Sequence, residues 1–217
     1  MHLEILVEDQ SGRQLVEHLI PKILGPYRSP HSWRLHHFHG VGRIPKDLEA
    51  EPDLKRRLLL DSLPKFFRGY AQMAEPPQVV VVVDVDDKNC TTFLADLQAL
   101  AHTSAPDLRV LFRLAIEETE AWILGDLDAL LEVYPKAKRG ALDSYAQDAV
   151  CGTWEVLANA LHPGGVAAIK KAGWPLPGQL KSTWAESIGP KMDPERNRSP
   201  SFRKFRDGLR RVAGATA

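Results

Sequence analysis

The chain has 217 residues, 44 % of them hydrophobic and 26 % charged, a composition that fits one globular domain and excludes disordered, collagen-like and fibrous classes. Its 28 basic residues balance its 28 acidic ones, which excludes a uniformly basic nucleic-acid coat or an acidic tail but leaves room for local fields. Cys90 and Cys151 stand far apart and outside any CxxC pair, so a disulfide framework and a zinc ribbon are excluded and both are expected to serve packing. The N-terminal MHLEILVEDQ has no basic region ahead of a long apolar run, and nowhere do eighteen apolar residues stand together. A soluble, cytoplasmic protein without membrane association is expected.

Leu3, Ile5 and Val7 alternate on one face and predict a first strand that stops at Glu8. A helix follows in Leu15, Val16, Leu19, Ile20, Ile23 and Leu24, capped by Ser11, kinked by Pro21 and ended at Gly25-Pro26. Residues 33 to 39 alternate weakly as a second strand, with His37 and His39 on one face. From Pro45 to Tyr70 a stripe of Leu54, Leu58, Leu59, Leu63, Phe66 and Phe67 predicts a helix interrupted at Pro64. Five consecutive valines, Val79 to Val83, read as a strand buried on both faces and ending at Asp84. Thr91 or Thr92 caps a helix through Leu94, Leu97 and Leu100, and Leu108 to Ile116 reads as a strand ending at Glu117. This alternation predicts an α/β fold with a mostly parallel sheet flanked by helices over residues 1–125. Residues 126–217 read as a mainly helical extension packed on that core. It is helical from Trp122 to Leu161, broken at Pro163-Gly164-Gly165 and over Gly173 to Gly178, and closed by a helix that Ser199-Pro200 starts.

Ligands of open parallel sheets bind beyond the carboxyl ends of strands, and the first, third and fourth strands all deliver acids there. The first delivers Glu8 and Asp9, the valine strand Asp84, Asp86 and Asp87, and the last Glu117, Glu118 and Glu120. So many carboxylates in one crevice repel one another unless a cation neutralises them, and hard oxygen donors favour Mg²⁺ or Mn²⁺. Asp84 and Asp86 share a side if the chain stays extended; Glu118 pairs with Glu120 on a strand, whereas Glu117 pairs with Glu120 on a helix. Each group alone reads equally well as ordinary solvated acids at a helix start. The five tryptophans read as core residues rather than base-stacking platforms.

An early strand ending in Val7-Glu8 and an apolar strand ending in Asp84-x-Asp86 resemble the Toprim domain of topoisomerases, primases and OLD-type nucleases. More specifically, Leu6-Val7-Glu8-Asp9-Gln10-Ser11, Glu118-Thr119-Glu120-Ala121-Trp122 and Asn197-Arg198-Ser199-Pro200-Ser201-Phe202 resemble the Toprim-like family catalogued as domain of unknown function 4276. The resemblance implies a Toprim-like, Rossmann-like core and a Mg²⁺-dependent nuclease, with Glu8, Asp84, Asp86 and Glu120 as catalytic residues and Glu118 as a further metal ligand. It also implies two-metal hydrolysis of DNA or RNA, and an ABC-type or OLD-type ATPase partner in bacterial anti-phage defence. Related nucleases often carry a second acid four residues after the first glutamate; here that position is Gly12. A small-molecule phosphohydrolase, a nucleotidyl transferase and a catalytically lapsed interaction module are the competing readings, and a homodimer is compatible with all of them.

Residues 191 to 211 hold eight basic residues against three acidic ones. Lys88, Lys191, Arg196, Arg198 and Arg203 are accordingly the expected phosphate-contacting residues, weighed against a solvated amphipathic helix.

Overall fold

The computed structural model describes residues 1–53, 55–149 and 152–214; Leu54 of the expected helical stripe and Cys151 lie outside them. Four strands form one all-parallel sheet, β1 (His2–Val7), β2 (Ser32–His37), β3 (Gln78–Asp84) and β4 (Val110–Ala115), in the order β2-β1-β3-β4. The fold is α/β and Rossmann-like. Because the chain adds β2 on one side of β1 and β3 on the other, the order reverses between β1 and β3. In such sheets this reversal opens the crevice where ligands bind.

Helix α1 (Gln10–Leu24) covers one face of the sheet, while α2 (Leu59–Ala71) and α3 (Cys90–Ser104) cover the other. The valine strand shows why both faces are apolar: Val80 and Val82 enter the α1-side core, and Val79, Val81 and Val83 enter the α2/α3-side core. Among the described residues the later helices are α4 (Glu120–Leu124), α5 (Leu127–Val133), α6 (Arg139–Asp143), α7 (Thr153–Leu161), α8 (Gly165–Ala172), α9 (Leu176–Ile188) and α10 (Pro200–Val212). Leu130, Leu157, Trp184 and Phe202 from this part share a core with Leu3 and Ile5 of β1, so the C-terminal helices complete the packing of the sheet. No helix among the described residues is long and apolar enough to cross a membrane.

Several boundaries differ from the expectation, each for a local reason. Asp9, not Ser11, caps α1, its carboxylate accepting from the Gly12 N–H at 2.7 Å. Asn89, not a threonine, caps α3 by accepting from both Thr91 and Thr92 N–H groups. Helix α2 begins only at Leu59 and runs through Pro64. The long helix expected from Trp122 to Leu161 is four short ones, and the Pro/Gly-rich stretch read as a break contains the start of α9. Prolines fit there because the first turn of a helix leaves its N–H groups without partners anyway.

The last two resemblance motifs are joined by packing. Asn197 donates from Nδ2 to the Trp122 carbonyl at 2.8 Å, Trp122 Nε1 donates to Ser201 Oγ at 3.0 Å, and the indole stacks on Phe205. Gly125 is required at this contact, since a Cβ there would lie 2.1 Å from Asn197 Oδ1.

Candidate functional site

Glu8 follows β1 directly and Asp84 is the last residue of β3, so neighbouring strands place both carboxylates at the reversal point. Glu8 Oε2 accepts a hydrogen bond from the Asp84 N–H at 3.1 Å. Asp84 is only 7 % exposed. Burial, partly opposed by that N–H and reinforced by Asp86 and Asp9, pushes the Glu8 carboxyl up to about 7. Burial and the neighbouring acids Glu8, Asp9 and Glu120 hold Asp84 well above the usual carboxylate range.

Beyond β3 the chain does not stay extended. Asp86 adopts a left-handed backbone, φ 52°, and its exposed carboxylate pairs with Lys88 Nζ at 2.8 Å. The shared-side arrangement expected for Asp84 and Asp86 is therefore not formed, although both still line one cleft of about 770 Å³ with Glu8 and Glu118. Lys88 is occupied by Asp86 and by the Phe93 ring, 5.2 Å away.

The acids after β4 divide into two roles. Glu117 turns away with φ 59° and accepts from the Gly152 and Thr153 N–H groups, capping α7 from a distance. Glu118 and Glu120 instead converge on one cation, Lys181 of α9, whose Nζ lies 2.8 Å from Glu118 Oε1 and 3.2 Å from Glu120 Oε2. The second contact has ion-pair distance without hydrogen-bond direction, so Glu120 Oε2, in a residue 2 % exposed, keeps no hydrogen-bond partner. Burial lifts the Glu120 carboxyl to about 7 against the pull of Lys181, and burial raises Glu118 as well. Burial alone would depress Lys181, but Glu120, Glu118 and Asp84 outweigh it and hold the ammonium firmly charged. Lys181 was not singled out from the sequence, where it is one lysine among many in a helix hidden behind prolines.

Among the described residues no three His, Cys, Asp or Glu side chains form a group able to hold a metal ion by themselves. What the crevice does present is the Glu8–Asp84 pair and, beside it, the Glu118–Lys181–Glu120 triad. Asp9 is committed to capping α1 and also accepts from Ser11 Oγ at 2.8 Å. Gly12 leaves no space for an acid, because its Cβ would lie 2.9 Å from Val7 Cγ1 and 3.1 Å from Asp9 Oδ1.

The C-terminal basic residues do not line this cleft. Lys191 pairs with Glu132 at 2.6 Å and Arg196 with Asp126 at 2.8 Å; Arg206 and Arg210 both pair with Glu195. Arg203 Nε donates to the Asn197 carbonyl, and Arg198 lines a separate hollow beside Asp126 and Arg139. The rim beyond β2 does carry nitrogen-bearing side chains: His39 lines the cleft, and Arg57, Arg13 and His39 reinforce the burial that depresses His37. His36 is engaged elsewhere, 2.6 Å from Glu4. The tryptophan expectation fails at one position, for Trp174 is 83 % exposed on the cleft rim.

The family model described as "Domain of unknown function (DUF4276)" matches residues 7–210, a span that contains Glu8, Asp84, Glu118, Glu120 and Lys181 alike. The chain belongs to this family. No curated protein and no solved structure matches it. Two of the stretches that resemble DUF4276, around Trp122 and Asn197, are thus partly accounted for by the structural lock between α4 and α10, while Glu118 of the former lines the cleft and Glu120 lies buried against Lys181.

Proposed function

We propose that this DUF4276 chain is a divalent-metal-dependent nuclease that hydrolyses phosphodiester bonds of DNA or RNA, as the Toprim resemblance implies. The observation that carries the reading is the buried Glu8–Asp84 pair at the reversal point of the sheet, both carboxyls raised and neither neutralised by a hydrogen-bonded cation. A folded protein keeps such a pair at a cost, and a cation relieves it. Mg²⁺ retains most of its waters and takes one or two protein carboxylates, so two hard oxygen donors fit it or Mn²⁺ without a third ligand.

Glu8 and Asp84 would hold the ion, which when bound supplies Lewis-acid polarisation of a phosphoryl oxygen. Lys181 brings the second positive charge. Its ammonium, held by Glu118 and Glu120, lines the cleft and offsets the charge of those two acids, so that a phosphate entering beside the ion meets less repulsion. This reading differs from two-ion hydrolysis in giving the Glu118 and Glu120 side of the site to a protein cation. Burial on β3 and α4 keeps the acids oriented before substrate arrives. The ATPase partner, the defence role and a cytoplasmic location rest on the resemblance and the composition alone.

A lapsed interaction module is the second reading, favoured by the lack, among the described residues, of any three-ligand group and by the packed Gly12. Plasmid nicking with Mg²⁺ or Mn²⁺, set beside Mn²⁺ calorimetry, decides between them. Metal binding together with nicking that Asp84→Asn abolishes supports the nuclease; no Mn²⁺ binding at millimolar concentrations and no turnover of plasmid, RNA or a small phosphate ester supports the module.

A further inference from the structure

Trp174 sits in the turn between α8 and α9 and has no place in either core. Trp122 and Trp184 are buried, whereas Trp174 leaves 83 % of its surface in water. The ring is nevertheless seated. The first turn of α9 passes so close beneath it that a Cβ at Gly178 would lie 2.9 Å from Cη2 and 3.2 Å from Cζ3. Any residue but glycine at 178 would displace the indole. One helical turn further on, on the same face, is Lys181. Trp174, Gly178 and Lys181 all line the cleft that contains Glu8 and Asp84, and so do Gln179 and Ser182, whose side chains make no hydrogen bonds among the described residues. The turn before α9 and its first two turns therefore present an aromatic face, free polar groups and a half-buried ammonium in sequence along the cleft that holds the carboxylates.

A ligand matching that order has an aromatic ring joined to a phosphate. In a duplex the base faces are covered by their neighbours, so an indole standing at a cleft rim meets only a base that is unpaired. We propose that Trp174 is a stacking platform for a nucleobase of a single-stranded segment whose phosphate enters the Glu8–Asp84 crevice. The inference rests on the nuclease reading for the phosphate and adds the substrate form, a single strand or a frayed end.

The test measures fluorescence anisotropy of labelled oligothymidylate, oligouridylate and an abasic oligomer of the same length, in Ca²⁺ so that the crevice holds a cation, with strand integrity checked on a gel. The full chain, Trp174→Ala and Trp174→Phe are compared. The expected result is tighter binding of base-bearing over abasic strands by the full chain, on the order of tenfold, lost in Trp174→Ala and largely kept in Trp174→Phe. The thymidylate and uridylate arms distinguish DNA from RNA. Equal preference for bases in the full chain and Trp174→Ala overturns the platform and leaves the nuclease reading standing if plasmid nicking is metal-dependent. If the full chain binds no strand and nicks no plasmid, both readings fall together.

Discussion

The Nζ of Lys181 lies 2.8 Å from Oε1 of Glu118, joining a helix near the end of the chain to the acids that follow β4. Removing that ammonium strands the buried Glu120 carboxylate and the half-buried Glu118 carboxylate. Lys181→Met is expected to cost about 3 kcal/mol or more at pH 8, by the usual penalty for breaking a buried pair. Urea denaturation measures it. The loss should shrink at pH 5, where Glu120 takes up a proton, and Glu120→Gln in the Lys181→Met background should restore part of it. An unchanged midpoint at pH 8 would show that the triad is not stabilised by its cation.

Stability of the metal-free protein should fall as pH rises. The Glu8 and Glu120 carboxyls stand near 7 when folded against 4.5 as free groups. The folded chain therefore holds protons that the unfolded chain has released, and the stability they contribute is complete below about pH 4.5 and gone once pH passes 7. Each carries on the order of 3 kcal/mol over that window. Thermal unfolding in EDTA between pH 5 and 8 gives the slope, Glu8→Gln should flatten it, and Mn²⁺ should raise the melting temperature mainly at the alkaline end. A slope of the opposite sign contradicts the burial argument.

Glu8→Gln and Asp84→Asn should separate stability from activity. Both remove a buried negative charge, so the metal-free protein should melt higher at pH 8. Metal-dependent nicking should fall on the order of a hundredfold or more, since the ion loses one of two ligands. A variant that cuts as well as the parent would remove that carboxylate from the site.

The lock between α4 and α10 should respond without changing the chemistry. Asn197→Ala leaves the Ser199 N–H unpaired in the interior and leaves the Trp122 carbonyl with the Gly125 N–H, 3.2 Å away, as its donor, for a loss of about 1–3 kcal/mol. Gly125→Ala drives a methyl into Asn197 Oδ1 and should lose a similar amount. Urea midpoints check both, with cleavage per folded molecule expected near the parental value.

The strands were legible because their signals are local: five valines cannot face water on either side, and Leu3, Ile5 and Val7 keep strict alternation. Glu8 and Asp84 followed from the strand ends. The caps were misassigned because Asp9 and Asn89 stand just ahead of hydroxyl residues that look equally suitable. Helix α9, and Lys181 with it, was hidden because Pro175 and Pro177 read as a break when they open a helix. The basic tail misled for a different reason. A count of charges does not reveal their partners, and Glu132, Asp126 and Glu195 take up Lys191, Arg196, Arg206 and Arg210.

Lys181 has a bearing on how the protein can be divided. A fragment ending near residue 125 would contain the whole sheet, Glu8, Asp84, Glu118 and Glu120, and still lack the one ammonium that holds the last two. It would also expose the α1 side of the core that Trp184 and Phe202 cover. Such a fragment is an electrostatically open circuit: expression trials on the sheet alone should yield aggregate at neutral pH, and supplying residues 126–217 as a second chain is the experiment that would close it.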